Sequence, residues 1–184
     1  MIALEFSKLV KERRSIHHFT EEEVTDEELN YILEAARWAP SAGNTQPTRY
    51  IVVRDEETRR KIWETTSGIE GITPQNFLNK ASIHIVVLAD TSAYKGKQSN
   101  IFSERFSLQD SAIAVMNLLL AAADIGLGAC WVGMYREEAL REIFNIPAHM
   151  KPVAIIPVGH TKSKVKPRKR KPLDEIVYYE NLSK

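Results

Sequence analysis

The 184-residue sequence contains a single cysteine, Cys130, so no internal disulfide can staple it. The thiol sits in a small-apolar run where burial is the default, and a reducing, cytoplasmic setting is expected. Neither a signal-type apolar segment after Met1 nor an apolar run of bilayer-spanning length is read in the chain, so no membrane partner is expected. Net charge is nearly absent, +1 by formal count, which removes any global attraction to nucleic acid. The signatures that usually announce a mechanism are missing too. There is no Gly-x-Gly-x-x-Gly opening a helix after a strand, no Gly-Lys-Ser/Thr phosphate loop, no His-Glu-x-x-His, no paired-cysteine spacing and no Gly-x-Ser-x-Gly elbow. His17 and His18 are adjacent rather than helically spaced, so no metal site is expected, and Cys130 is expected to have no nearby basic residue to depress its pKa. Side-chain nucleophiles and acid/base pairs therefore have no evident carriers. What remains is charged anchors and neutral hydrogen-bonders, the equipment of a protein that holds a phosphorylated cofactor and leaves the chemistry to it.

The neutral equipment is concentrated in Trp38-Ala39-Pro40-Ser41-Ala42-Gly43-Asn44-Thr45-Gln46-Pro47, where a helical pattern stops between two prolines. Pro40 and Pro47 bias Ala39 and Gln46 toward extended backbone, and Gly43 permits close approach. Ser41, Asn44, Thr45 and Gln46 offer donors and acceptors without charge, which suits a polar heteroaromatic ligand better than a phosphate or a metal. A Pro/Ser/Gly/Asn cluster is by itself more often a plain turn. Its companion is Arg13-Arg14-Ser15 after a short helix, a pattern that fits a phosphate clamp because guanidinium forks match phosphate oxygens. Local charge is uneven: six carboxylates fall between Glu21 and Glu28, and seven cations between Lys162 and Lys171.

Size and 43% hydrophobic content fit one globular domain, 1–184. Ile2, Phe6, Leu9 and Val10 predict a first amphipathic helix ending near Lys11; Thr25 with Glu28 forms a capping-box pattern opening a second that stops at Pro40. Strands are expected at Tyr50–Val53, Ile83–Leu88, Gly128–Gly133 and Pro152–Val158, and helices over Glu56–Thr66, Ser107–Ile125 and Glu137–Phe144, the last stopped by Pro147. Ser67–Lys80 reads as loop with a helical turn. His84 interrupts an apolar strand and reads as a satisfied core residue. Asp90–Arg105 is polar and long for a structureless connection, a pattern that suggests a mobile cover over a pocket. Ser107–Ile125 is apolar nearly all round and reads as structural, either the subunit centre or a seam between subunits. The elements do not alternate strictly as βαβ, so the class is α+β, or α/β with a mixed sheet.

Arg13-Arg14-Ser15-Ile16-x-x-Phe19, then Ala39-Pro40-Ser41-Ala42-x-Asn44-x-Gln46-Pro47, Cys130-Trp131-Val132-Gly133 and Arg168-x-Arg170-x-Pro172-Leu173-Asp174-Glu175 resemble the FMN-dependent nitroreductase family in order and spacing. The resemblance implies an α+β three-layer sandwich with a mixed, mainly antiparallel sheet, an intertwined homodimer, and two FMN sites at the subunit interface. It implies that 160–184 is a C-terminal extension wrapping the partner subunit. Arg13, Ser15, Arg168 and Arg170 would grip the ribityl phosphate, with Arg14 near the ring's polar edge. Pro40, Ser41, Asn44 and Gln46 would come from the partner to line the flavin, and the backbone of Trp131, Val132 and Gly133 would lie along the isoalloxazine. The family often has Arg or Lys where this chain has His17, which leaves a phosphate contact there open and pH-dependent if made. The implied activity is ping-pong transfer of hydride from NADH or NADPH, through FMN, to a nitroaromatic, quinone, enone or similar acceptor. Two other readings stand beside it: a flavin store or sensor without turnover, and a nucleic-acid module built on Lys162–Lys171. The latter lacks aromatics within the basic run for base stacking.

Overall fold

The computed structural model describes residues 5–94 and 100–182. Four strands, β1 (Thr48–Val53), β2 (Ile83–Asp90), β3 (Leu127–Ala129) and β4 (Met150–His160), form one sheet in the order β1-β2-β4-β3. Every strand pair is antiparallel, and the only parallel pairing among the described residues is an isolated bridge between Ser15 and Ala129. The class is therefore α+β, and the expected mixed character of the sheet reduces to that one bridge. The central strand β2 is buried along its whole length, and its side chains alternate between two cores. Ile83, Ile85 and Val87 pack with Ile32 of α2 (Asp26–Arg37) and with Val115, Leu118 and Ala122 of α4 (Asn100–Asp124). Val86 and Leu88 pack on the other face with Ile62 of α3 (Glu56–Glu64) and Leu140 of α5 (Glu137–Phe144). Helices thus cover both faces, and each fully buried Ile or Leu is worth about 1.5–3 kcal/mol.

Local chemistry accounts for most boundaries. Thr25 and Glu28 make the reciprocal capping box that opens α2. The helix α1 (Phe6–Glu12) ends where Arg13 turns to an extended conformation; Ile2 of the expected first helix lies outside the described residues. Helix α5 stops at Asn145, which takes the left-handed conformation of a C-cap, two residues before Pro147, the expected stop. Residues 100–105, expected as irregular cover, are the first turns of α4, while 95–99 lie outside the described residues. Phe102–Asp124 is, by length and composition, apolar enough to cross a bilayer, contrary to the expectation that no such run exists. In the fold that segment packs on α2 and on the sheet as a core helix. The strand expected over 128–133 breaks after Ala129. In the β3–β4 register Ala129 faces Val158 and Val132 faces Ile155, so Cys130 falls opposite Pro157, which has no N–H to donate. Pairing resumes only at Val132, whose N–H and carbonyl bond Ile155 at 3.0 and 2.9 Å.

Candidate functional site

From Arg13 the chain runs beside β3, with the Ile16 N–H donating to the Ala129 carbonyl at 3.1 Å. Ile16 is buried against Gly128, where a Cβ would lie 2.7 Å from Ile16 Cγ2, so only glycine allows this approach. Thr161 Oγ1 donates to the His18 carbonyl at 2.7 Å, and the Thr20 N–H to that of His160 at 2.8 Å. These bonds send the basic tail over the same segment. The result is a cavity of about 450 Å³ lined by Arg13, Arg14, Ser15, His17, His18, Cys130, Val165, Lys166, Arg168 and Arg170, with no carboxylate among them. Residues near the two ends of the chain, 13–17 and 168–170, thus line one cavity. The Nε–H groups of Arg13 and Arg14 are buried and have no acceptor among the described residues. An unpaired buried guanidinium N–H in an acid-free cationic cavity is an unmet demand for an anion. Arg14 is the less free of the two, since its Nη1 donates to the carbonyls of Lys11 at 2.6 Å and Arg13 at 2.8 Å.

His17 stacks on Phe77 with ring centroids 4.2 Å apart, and its Nε2 lies 3.4 Å from Cys130 Sγ. Burial pulls its pKa below the usual imidazole value, assisted by repulsion from His18 and Arg168. Cys130 therefore has a basic neighbour in space, contrary to expectation. Burial nonetheless pushes its thiol up, against a hydrogen bond from Ser15 and the charge of Arg13, a shift that favours the protonated form.

The neutral loop forms a second cavity of about 170 Å³, lined by Pro40, Ser41, Gln46, Arg37, Arg49, Tyr50 and Asp110 among others. Among the described residues the two cavities have no lining residue in common. Pro47 does not hold Gln46 extended: Gln46 has φ 48°, and Gly43 and Asn44 have φ 59° and 56°. The loop is a tight left-handed turn closed by its own side chains. Ser41 Oγ accepts the Gln46 N–H at 2.9 Å, and Gln46 Nε2 donates to Asn44 Oδ1 at 3.2 Å. Asn44 stands exposed at the tip and lines neither cavity, and neither do Trp131, Val132 or Gly133; Trp131 is exposed and Val132 buried.

The sequence reading passed over one set of residues. Ser103, Ser107, Asp110 and Ser111 of α4 are buried polar groups on one helical face. Ser107 Oγ donates to the Asp90 carbonyl at 3.0 Å, and the Thr48 and Ser111 hydroxyls are 3.1 Å apart. Asp110 Oδ2 accepts the Ala42 N–H at 3.0 Å and the Tyr94 hydroxyl. Burial and that bond hold the Tyr94 phenol above its usual range. Their signal in the sequence is the helical spacing of Ser103, Ser107, Asp110 and Ser111, which crosses the boundary between the expected cover at Asp90–Arg105 and the expected structural helix at Ser107–Ile125.

The family model for nitroreductases matches residues 10–69 and 72–160, most of the chain. The chain belongs to the nitroreductase family. The matched residues include the 13–17 segment, the 40–47 loop and the 130–133 break, and they stop at the start of the basic tail. A presumed NADH dehydrogenase/NAD(P)H nitroreductase of Archaeoglobus fulgidus is 38% identical over 159 residues, covering 84% of each chain. An FMN reductase (NADPH) of Bacillus subtilis is 31% identical, covering 91% of this chain and 70% of its own. A presumed nitroreductase of Desulfovibrio desulfuricans, solved in complex with FMN, superposes with a TM-score of 0.79 at 30% identity, over 96% of this chain and 97% of its own.

Proposed function

We propose that this nitroreductase-family protein is an FMN-dependent oxidoreductase that uses NADH or NADPH to reduce an electron-poor acceptor such as a nitroaromatic, quinone or enone. The observation that carries the reading is the acid-free cavity with two unpaired buried guanidinium N–H groups, a donor set matched to a phosphate monoester. The FMN reductase and the FMN-bound nitroreductase among its relatives support the same cofactor. Arg13, Ser15, Arg168 and Arg170 hold the phosphate through charge-assisted bonds. With Arg14 Nη1 committed to carbonyls, its Nε–H and Nη2 are the donors left for the polar edge of the ring, where negative charge builds on reduction. His17 is mainly neutral near pH 7, so any contact it makes with the phosphate gains charge only on acidification. The broken backbone at Trp131–Gly133 lies against the flavin in this reading, with Pro40, Ser41, Asn44 and Gln46 lining it from the partner. When bound, FMN supplies the hydride chemistry, accepting from NAD(P)H and delivering to the acceptor in alternating half-reactions. No side-chain acid is required.

Homodimerisation is part of the proposal because a single chain leaves the charged and neutral half-sites in separate cavities. Phe6 and Val10 on α1, and Ile113 and Met116 on α4, are exposed apolar residues of the kind a second subunit covers. The single-domain reading, with 160–184 as an extension wrapping the partner, rests on Leu173, Tyr179 and Leu182, which are 73–82% exposed. The small net charge and the single buried thiol fit a cytoplasmic setting. The test is FMN uptake by the purified protein, followed by NADH and NADPH oxidation with a quinone or a nitroaromatic. Protein that takes up no FMN defeats the reading, and protein that binds FMN without oxidising nicotinamide is a store or sensor.

A further inference from the structure

Among the described residues Asp110 is the one carboxylate lining the neutral cavity, and it is only 8% exposed. It stands on α4, a helix whose remaining buried face is mostly apolar. Taking a carboxylate out of water is costly, and an apolar residue of similar volume would pack that position more cheaply. What the carboxylate provides is an acceptor: one oxygen receives both the Ala42 N–H, at 3.0 Å, and the Tyr94 hydroxyl. Ala42 opens the turn in which Gly43, Asn44 and Gln46 all have positive φ. Left-handed backbone at Asn44 and Gln46 is disfavoured for L-residues and persists only when neighbouring bonds over-determine it. The bonds within the loop, from Gln46 to Ser41 and Asn44, hold its shape but do not tie it to the rest of the molecule. Asp110 supplies a tie from the rigid core helix, with Arg49 bonding the Gln46 carbonyl at 2.8 Å on the other side.

We infer that Asp110 is the positioning residue of the neutral half-site, fixing the 40–47 loop through Ala42 so that Ser41, Asn44 and Gln46 are presented to the flavin. The inference rests on the FMN reading above. It assigns Asp110 no contact with the cofactor and no proton transfer.

The experiment compares full-length wild type with Asp110→Ala, Asp110→Leu and Asp110→Asn. Leu keeps the heavy-atom count, the branching at Cγ and a good helix former but removes the acceptor, and so serves if the Ala variant is unstable. Asn keeps an oxygen that can accept both donors. FMN affinity is read by quenching of flavin fluorescence, and amide exchange at Ala42 is followed in the apoprotein. Without the acceptor, FMN binding weakens by about tenfold or more, and Ala42 exchanges faster while β2 and β4 amides keep their protection. Asn restores affinity to within about threefold of wild type. Equal affinity in wild type and the Leu variant overturns the inference. So does an Asn variant as weak as Leu, or loss of protection throughout β2 and β4. Wild type that takes up no FMN overturns the flavin reading itself, whereas wild-type binding with unchanged variants removes only the role of Asp110.

Discussion

His84 sits near the start of β2 without solvent contact, its Nε2 2.9 Å from the Leu78 carbonyl and its Nδ1 without a partner among the described residues. Bonding to a carbonyl requires Nε2 to carry the hydrogen, so a second proton on Nδ1 would be buried and unpaired. Burial accordingly lowers the pKa from 6.5 to about 4. The unfolded chain takes up that proton and the native one does not, so the stability is fully present above pH 6.5 and is lost as pH falls toward 4. The loss is roughly 3 kcal/mol, at ~1.4 kcal/mol per pKa unit. Denaturant unfolding at pH 7, 5.5 and 4 should show it, and His84→Gln, whose amide can still donate to Leu78, should flatten that limb. At the cavity, Arg168→Ala with Arg170→Ala removes charge-assisted bonds worth roughly 1.5–3 kcal/mol each, so FMN affinity should fall ~10²-fold or more. Lys162→Ala with Lys164→Ala should do little, since neither lysine lines that cavity and an exposed lysine contributes about 1 kcal/mol at most. Equal, salt-steep losses of oligonucleotide binding in both double mutants, with flavin affinity unchanged, would instead point to the nucleic-acid reading.

At the scale of elements, β3 matters less for its own pairing than for what it lets approach. Gly128 admits Ile16, and Ile16 carries Arg13, Arg14 and Ser15 into place. Gly128→Ala puts a Cβ 2.7 Å from Ile16 Cγ2 and 3.1 Å from Thr161 Cγ2, pushing on both chains that build the cationic cavity. Overpacking of this kind costs about 1–3 kcal/mol. Because the strain falls on the walls of the site, FMN affinity should drop along with Tm. Thermal melting and flavin titration of this variant check both, and a lowered Tm with unchanged affinity would detach the cavity from the Ile16 contact.

For the whole molecule, the long helix meets one of the two alternatives left by its sequence, the subunit centre. Val115, Leu118 and Ala122 of α4 are core, while Ile113 and Met116 stay exposed. If that outer stripe is the seam of a homodimer, Ile113→Glu with Met116→Glu should give monomers that no longer retain flavin, since like charges would face each other across the two-fold axis. Sedimentation velocity with detection at the flavin absorbance reads both quantities. A dimer that persists in this variant would move the interface elsewhere, and a flavin-loaded monomer would end the shared-site proposal.

The chain's local patterns were enough for the elements whose causes are local. The capping box at Thr25 and Glu28, the unbroken apolar run of β2 and the periodic faces of α2 and α5 each declare themselves within a dozen residues. The same holds for one wall of each cavity, because Arg13-Arg14-Ser15 and Pro40–Pro47 are contiguous in the chain. Only tertiary structure decided the rest. Pro157 ends the β3 ladder at Cys130 from across the sheet, and His17 reaches Cys130 from 113 positions away. Gln46 leaves the extended backbone that Pro47 favours, since bonds to Ser41 and Asn44 outweigh the local preference. Asp110 holds a loop 68 residues before it. Periodicity reports which face of a segment is buried, but a hydrogen bond between distant segments leaves no period in either one.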